Sequence, residues 1–155
     1  LLVAEVDLRR LIAGALSSAP SRMAKTVYDL VAFRRAVDLV AAVYDATAHF
    51  PTSEKYGLTS QLRRAAVGVC SHIAEGQGRL TSGEWRQFLS QARGSLFEVE
   101  AQSIVANRLG FISTESLDSL RAMISGVARP LAGLIRWVRR SEKRVATGNR
   151  QLSTR

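Results

Sequence analysis

The side chains able to do covalent or acid–base chemistry are few, and their spacing assembles no familiar constellation. His49, His72 and Cys70 are the only histidines and cysteine in 155 residues. His72 and Glu75 make one His-x-x-Glu, whereas di-metal sites in helical bundles need Glu-x-x-His pairs from two helices, so no metal ligand set is expected. Neither histidine has an evident orienting partner, and each reads as a packed or surface residue rather than a general base. Cys70, beside Val69, Ser71 and Ala74, lacks a helix N-terminus to activate it and reads as a small hydrophobe. Gly76-Gln77-Gly78 opens a Gly-x-Gly pattern, but Thr81 holds the third glycine's place and no strand pattern precedes it. Gly78 to Gly83 has phosphate-loop spacing, yet Glu84-Trp85 follows where Lys-Ser/Thr is required. No catalytic residue and no cofactor is therefore expected, and the chain reads as non-enzymatic.

Arginine is the chemistry that remains. Of 22 basic residues only Lys25, Lys55 and Lys143 are lysines, against 13 acids, for a net charge of +9. The planar guanidinium fork suits phosphate; a genomic preference for arginine codons would give the same bias. Residues 23–140 hold +5 of the excess and residues 141–155 hold +3. The candidate nucleic-acid-binding residues are Arg34 and Arg35, Arg63 and Arg64, Arg79, Arg86 and Arg93, and Arg121, Arg129, Arg136 and Arg140. At about 100° per residue the last four fall within roughly 100° of arc, opposite a leucine stripe. Such a face serves solubility or a ligand equally well. Glu100 shares a side with Arg86 and Arg93, which suits charge pairing along that face or between subunits, or plain solvation.

Four helical patterns must position these side chains, and no strand pattern is evident. In the first, Leu30, Phe33, Val37, Val40, Ala41, Tyr44 and Ala48 recur at three- and four-residue steps until Pro51. The second, from about Glu54 to Gln77, carries Leu58, Leu62, Ala65, Val69 and Ile73 on one face and weakens at Gly76 and Gly78. Thr81-Ser82-Gly83-Glu84 has the form of a capping box and opens the third. Its stripe of Trp85, Phe88, Leu89, Ala92, Leu96 and Val99 ends near Leu109-Gly110. The fourth begins after Ser113 or Thr114 with Leu117, Leu120, Ile124, Val127, Leu131, Leu134 and Val138, and Pro130 should kink it. Helices of this length joined by short turns predict an all-α, antiparallel up-down-up-down four-helix bundle.

The ends read differently. Residues 1–22 look like an extension in which Val3 to Leu16 could form a short helix, with Met23 as the functional start; residues 141–155 read as a basic disordered tail. A secretory signal fits poorly, since Glu5 and Asp7 stand in place of a positive n-region. Arginines interrupt every apolar run before the roughly 20 residues a membrane span requires. The lone thiol suits a reducing cytoplasm.

Some apolar residues lie off the core stripes. On the third helix Gly94, Phe97, Ala101 and Ile104 form a second patch, and on the second helix Val67, Cys70 and Ala74 do the same. Two-faced helices in a small domain predict homo-oligomerisation; a broad single core stripe is the alternative. Val67, Cys70, Ala74, Phe97, Ala101 and Ile104 are the candidate interface.

The motifs resemble a known family. Tyr28-Asp29-Leu30 with Ala36, Phe50-Pro51 with Glu54, Tyr56-Gly57-Leu58, and Gln61-Leu62-Arg63-Arg64-Ala65-Ala66 look like the opening half of the four-helix-bundle family of 23S rRNA intervening-sequence proteins. Ile73-Ala74-Glu75-Gly76 with Gly78-Arg79, then Phe88-Leu89, Ala92, Gly94-Ser95-Leu96 and Glu98, resemble its most recognisable segment, with His72 where that family commonly has Asn. The resemblance covers about residues 25–138. It implies a homopentameric barrel with a basic surface, encoded in some bacteria within rRNA intervening sequences, and no enzymatic activity. The chain is also similar to the accessory variability determinant of diversity-generating retroelements, which binds nucleic acid and a reverse transcriptase. The expectation is thus a non-catalytic oligomer binding RNA or DNA with low sequence specificity, with a protein-binding scaffold or accessory subunit, for example of a reverse transcriptase, as the alternative.

Overall fold

A computed structural model describes the backbone of residues 26–152 and side chains through residue 144. The extension read over residues 1–22 lies outside the described residues. Within them the chain forms four long helices and no strand: α1 (Val31–Ala46), α2 (Leu58–Gln77), α3 (Ser82–Arg108) and α4 (Thr114–Leu152). No helix among the described residues is long and apolar enough to cross a membrane.

Each helix packs on the next, α4 closes back on α1, and neither diagonal pair meets. Phe50, after α1, packs against Phe111, after α3, with the rings tilted by 54° and their centroids 5.4 Å apart. At the other end the start of α3 meets the late part of α4, where Arg86 reaches Glu142. Successive helices therefore run in opposite directions around one core.

Local chemistry sets the boundaries. Pro51 has no amide hydrogen to continue α1, and a short 3-10 turn, Thr52–Glu54, leads to α2. There Leu58 N donates to Glu54 Oε2 at 2.9 Å, so the carboxylate closes one of the open amides of the α2 start. The helix thus begins at Leu58, four residues after the Glu54 expected from apolar periodicity, because Glu54 caps it from outside. Thr81 caps α3, its hydroxyl accepting from Glu84 N at 3.2 Å while donating to Glu84 Oε2. α3 ends in a Schellman turn: Phe111 N donates to Ala106 O, Gly110 N donates to Asn107 O, and Gly110 takes φ +74°. Ser113 Oγ accepts from Ser116 N and starts α4.

Three of the four stripes lie inside as the sequence predicts, and one does not. Leu62, Ala65, Val69 and Ile73 of α2, and Trp85, Leu89, Ala92, Leu96 and Val99 of α3, are buried. So are Leu117, Leu120, Ile124, Val127, Leu131 and Val138 of α4, with Ile135 replacing Leu134 at the centre. In α1 the core is Ala32, Ala36, Leu39 and Val43, about 100° from the predicted stripe, and Val37 and Tyr44 are 45% and 44% exposed. α1 is apolar on both sides, so periodicity cannot choose between them. The alanines allow the closer approach, and the larger residues turn to the outside of the α1/α2 pair. Gly76 marks another close approach: a Cβ there would lie 2.6 Å from Trp85 Cδ1 and 3.1 Å from Phe88 Cβ.

Helix α4 runs through Pro130 and past Ser141, into the segment whose composition predicts disorder. Pro130 has no amide hydrogen for the carbonyl four residues earlier, which is Gly126. Arg35 Nη1 donates to that carbonyl at 2.8 Å. The cation replaces the missing helical donor and ties α1 to α4. Arg35→Ala should therefore cost about 1–2 kcal/mol by denaturant unfolding, and appreciably less in a Pro130→Ala background, where residue 130 supplies its own amide. Equal losses in both backgrounds would contradict the coupling.

Candidate nucleic-acid interface

The candidate arginines divide by what already holds them. Arg35 is bound to Gly126 O, and Arg34 Nη1 donates to Tyr28 O at 2.6 Å, fastening the segment that enters α1. Arg63 bridges α2 to α1: its Nε donates to the buried Thr47 Oγ1 at 2.7 Å and its guanidinium lies 4.5 Å from the Tyr44 ring centroid. Thr47 in turn donates to Val43 O at 2.8 Å. Arg64 Nη2 donates to Gln61 Oε1. Arg79 covers the Phe88 ring at 4.3 Å. Arg121 pairs with Asp118 at 3.7 Å, an exposed contact of small energetic weight.

Arg86 pairs with Glu142 of α4 rather than with Glu100 on its own helix. Sequence reasoning could not find this partner, because Glu142 falls in the segment read as a tail. Arg93, Arg129, Arg136 and Arg140 are exposed and make no hydrogen bond or ion pair among the described residues. Arg108 and Arg139, absent from the predicted set, share that condition. Arg139 was legible as the neighbour of Arg140 in Arg136-Trp137-Val138-Arg139-Arg140.

Charge is unevenly distributed over the bundle. The α1/α2 half, residues 31–77, carries five basic and four acidic residues. The α3/α4 half, residues 82–144, carries ten basic and six acidic residues. Its arginines lie on the outside of α4 and along the outer α3/α4 seam.

The apolar residues outside the core collect on two seams. Val67, Cys70 and Ala74 lie on the side of α2 that carries Arg63, which touches Tyr44, so they adjoin the exposed Val37 and Tyr44 of α1. On α3, Phe97 and Ile104 share the side of Arg86, which reaches α4, and are 64% and 39% exposed. Gly94 and Ala101 lie further round and are exposed. The opposite side of α3 faces α2, where a Cβ on Gly68 would lie 3.1 Å from Ser95 Oγ. The α1/α2 and α3/α4 apolar patches therefore face opposite directions.

Burial pushes the Cys70 thiol above its ordinary pKa, the reverse of activation. His72 packs on Phe88, and its Nδ1 is buried without a hydrogen-bond partner. Among the described residues no cluster of three His, Cys, Asp or Glu could hold a metal ion.

With that geometry established, residues 28–133 match the family model described as 23S rRNA-intervening sequence protein. No curated protein matches the chain. A solved structure from Bacteroides thetaiotaomicron, a protein of unknown function from the S23 ribosomal protein family, is similar with a TM-score of 0.61 at 15% identity. The match covers 68% of this chain and 98% of that one; at that identity it speaks for the fold alone.

The division among arginines has a measurable consequence. Arg63→Ala should destabilise the protein by about 1–2 kcal/mol, losing a charged hydrogen bond and a ring contact. Arg93→Ala and Arg136→Ala should stay within about 0.5 kcal/mol. Urea unfolding of the three variants checks this, and equal losses would contradict it.

Proposed function

We propose, from the premise that the chain belongs to the 23S rRNA-intervening sequence protein family, that it is a non-catalytic basic oligomer that binds RNA or DNA with little sequence preference. One observation carries the reading: Arg93, Arg129, Arg136 and Arg140 stand exposed and unpaired among the described residues on the α3/α4 half, while Arg35 and Arg63 are engaged in holding helices together. Uncompensated arginines in one region favour a phosphate backbone. Base readout has little support, since no sheet platform for stacking exists among the described residues.

The two apolar patches favour assembly of copies through unlike faces. A contact between unlike patches is head-to-tail, and such contacts close into cyclic oligomers when the rotation allows. Val37, Tyr44 and Val67 of one copy would meet Phe97 and Ile104 of the next, and a pentamer is the closed form we favour. Each copy then presents its arginines on a common assembly, and linked weak contacts gain effective concentration. The lone thiol fits action in the cytoplasm. A second reading, a scaffold for another protein such as a reverse transcriptase, is favoured by the same exposed Phe97.

Salt separates the readings. Comparable affinity for unrelated RNA and DNA sequences is expected, falling steeply with ionic strength at a log-log slope of about 0.9 per phosphate on duplex DNA. In light scattering, Phe97→Glu should reduce a multimeric mass toward that of one chain. No gel shift at about 50 mM salt, where electrostatics is strong, would remove nucleic-acid binding and leave the scaffold. A wild-type mass of one chain would remove the ring.

A further inference from the structure

We propose that the end of the α3/α4 seam holds a discrete subsite for a nucleic-acid phosphate backbone, built from Arg86, Arg139, Arg140 and Lys143 with Glu142 as its internal brace. It rests on the nucleic-acid reading above and gives that reading a location. These five residues line an open depression on the surface, four cations around one carboxylate.

The carboxylate is already engaged. Glu142 Oε1 and Oε2 lie 3.3 and 3.2 Å from Arg86 Nε, and its side chain is only 28% exposed. A Cβ on Gly83 would lie 3.8 Å from Glu142 Oε1, so the carboxylate also sits beside the first turn of α3. The partial positive charge of a helix start adds to its attraction there. Glu142 is thus held from two directions and docks late α4 onto α3.

The way Arg86 is held leaves it able to bind. Its bond to Glu142 uses Nε alone, and the two terminal nitrogens keep the fork that fits a pair of phosphate oxygens. Arg139, Arg140 and Lys143 follow within about 100° of arc on α4. Arg139 and Arg140 are exposed and make no hydrogen bond or ion pair among the described residues. The cluster keeps a formal excess of three positive charges after Glu142 is counted.

The depression is set apart from the apolar patch. Arg86 precedes Phe97 by eleven residues, roughly 16 Å along α3, so the depression lies at the end of the seam and the apolar patch lies further along. All of its α4 residues also follow residue 133, where the family match ends, so the subsite extends beyond the matched segment.

The test compares two charge-matched pairs in the full chain, with a short DNA duplex as probe. Arg139→Ala with Arg140→Ala should weaken binding on the order of tenfold and lower the log-log salt slope by about 1.8, two phosphates at about 0.9 each. Lys55→Ala with Arg108→Ala, two cations away from the depression and outside the candidate binding set, should leave the slope nearly unchanged. If both pairs weaken binding equally, or the first leaves the slope intact, the subsite is wrong while nucleic-acid binding stands. Absence of binding by the wild-type protein would instead remove the underlying reading, and the subsite with it.

Discussion

A proline inside the longest helix leaves one carbonyl without its helical donor, and the packing of the first helix brings up an arginine that replaces it. Arg35 reaches Gly126 O from α1, and that flank of α1 faces α4. Ala32, Ala36, Leu39 and Val43 then point into the core, and Val37 and Tyr44 face out beside α2. Had α1 been rotated by one residue, Val37 and Tyr44 would be core and the alanines would line the seam. The outer apolar seam is therefore a consequence of the same packing that satisfies the proline's missing hydrogen bond.

A similar economy governs the other arginines. Those at helix–helix seams near α1 are engaged by backbone carbonyls, a threonine hydroxyl or an aromatic face. Those on the outside of α3 and α4 are largely without partners among the described residues. Arginine suits both tasks because its stem packs against apolar surface while its planar head bonds in several directions. High arginine content is thus partly architectural, and net charge overstates the surface available to a polyanion.

Helix number, order and most boundaries were legible because they rest on local chemistry: Pro51, the Thr81–Glu84 box, Gly110 and Ser113 each act within a few residues, whereas Glu54 caps α2 from outside instead of opening it. The rotation of α1 was not, since its two apolar sides are equivalent at helical spacing and only packing against α2 and α4 distinguishes them. For the candidate interface, Arg93, Arg129, Arg136 and Arg140 could be placed on polar faces from spacing alone. That Arg35 answers Pro130, or that Arg63 answers Thr47, depends on residues far apart in sequence. Glu142 was lost for a different reason: Ser141 to Arg155 has no apolar period to announce a helix, and α4 extends to Leu152 nonetheless.

The central claim is that copies join through their apolar patches, Val37, Tyr44 and Val67 of one against Phe97 and Ile104 of the next, and that nucleic acid is held by the exposed arginines of the α3/α4 half and not by the α1/α2 seam. Ultraviolet cross-linking of the full chain to single-stranded RNA, with the linked peptides mapped by mass spectrometry, tests it directly. Cross-links should concentrate in peptides containing Arg86 and Arg93 and in those spanning Arg129 to Arg144, and be sparse between Val37 and Ala74. Cross-links concentrated on the α1/α2 seam, or none above background, would contradict it.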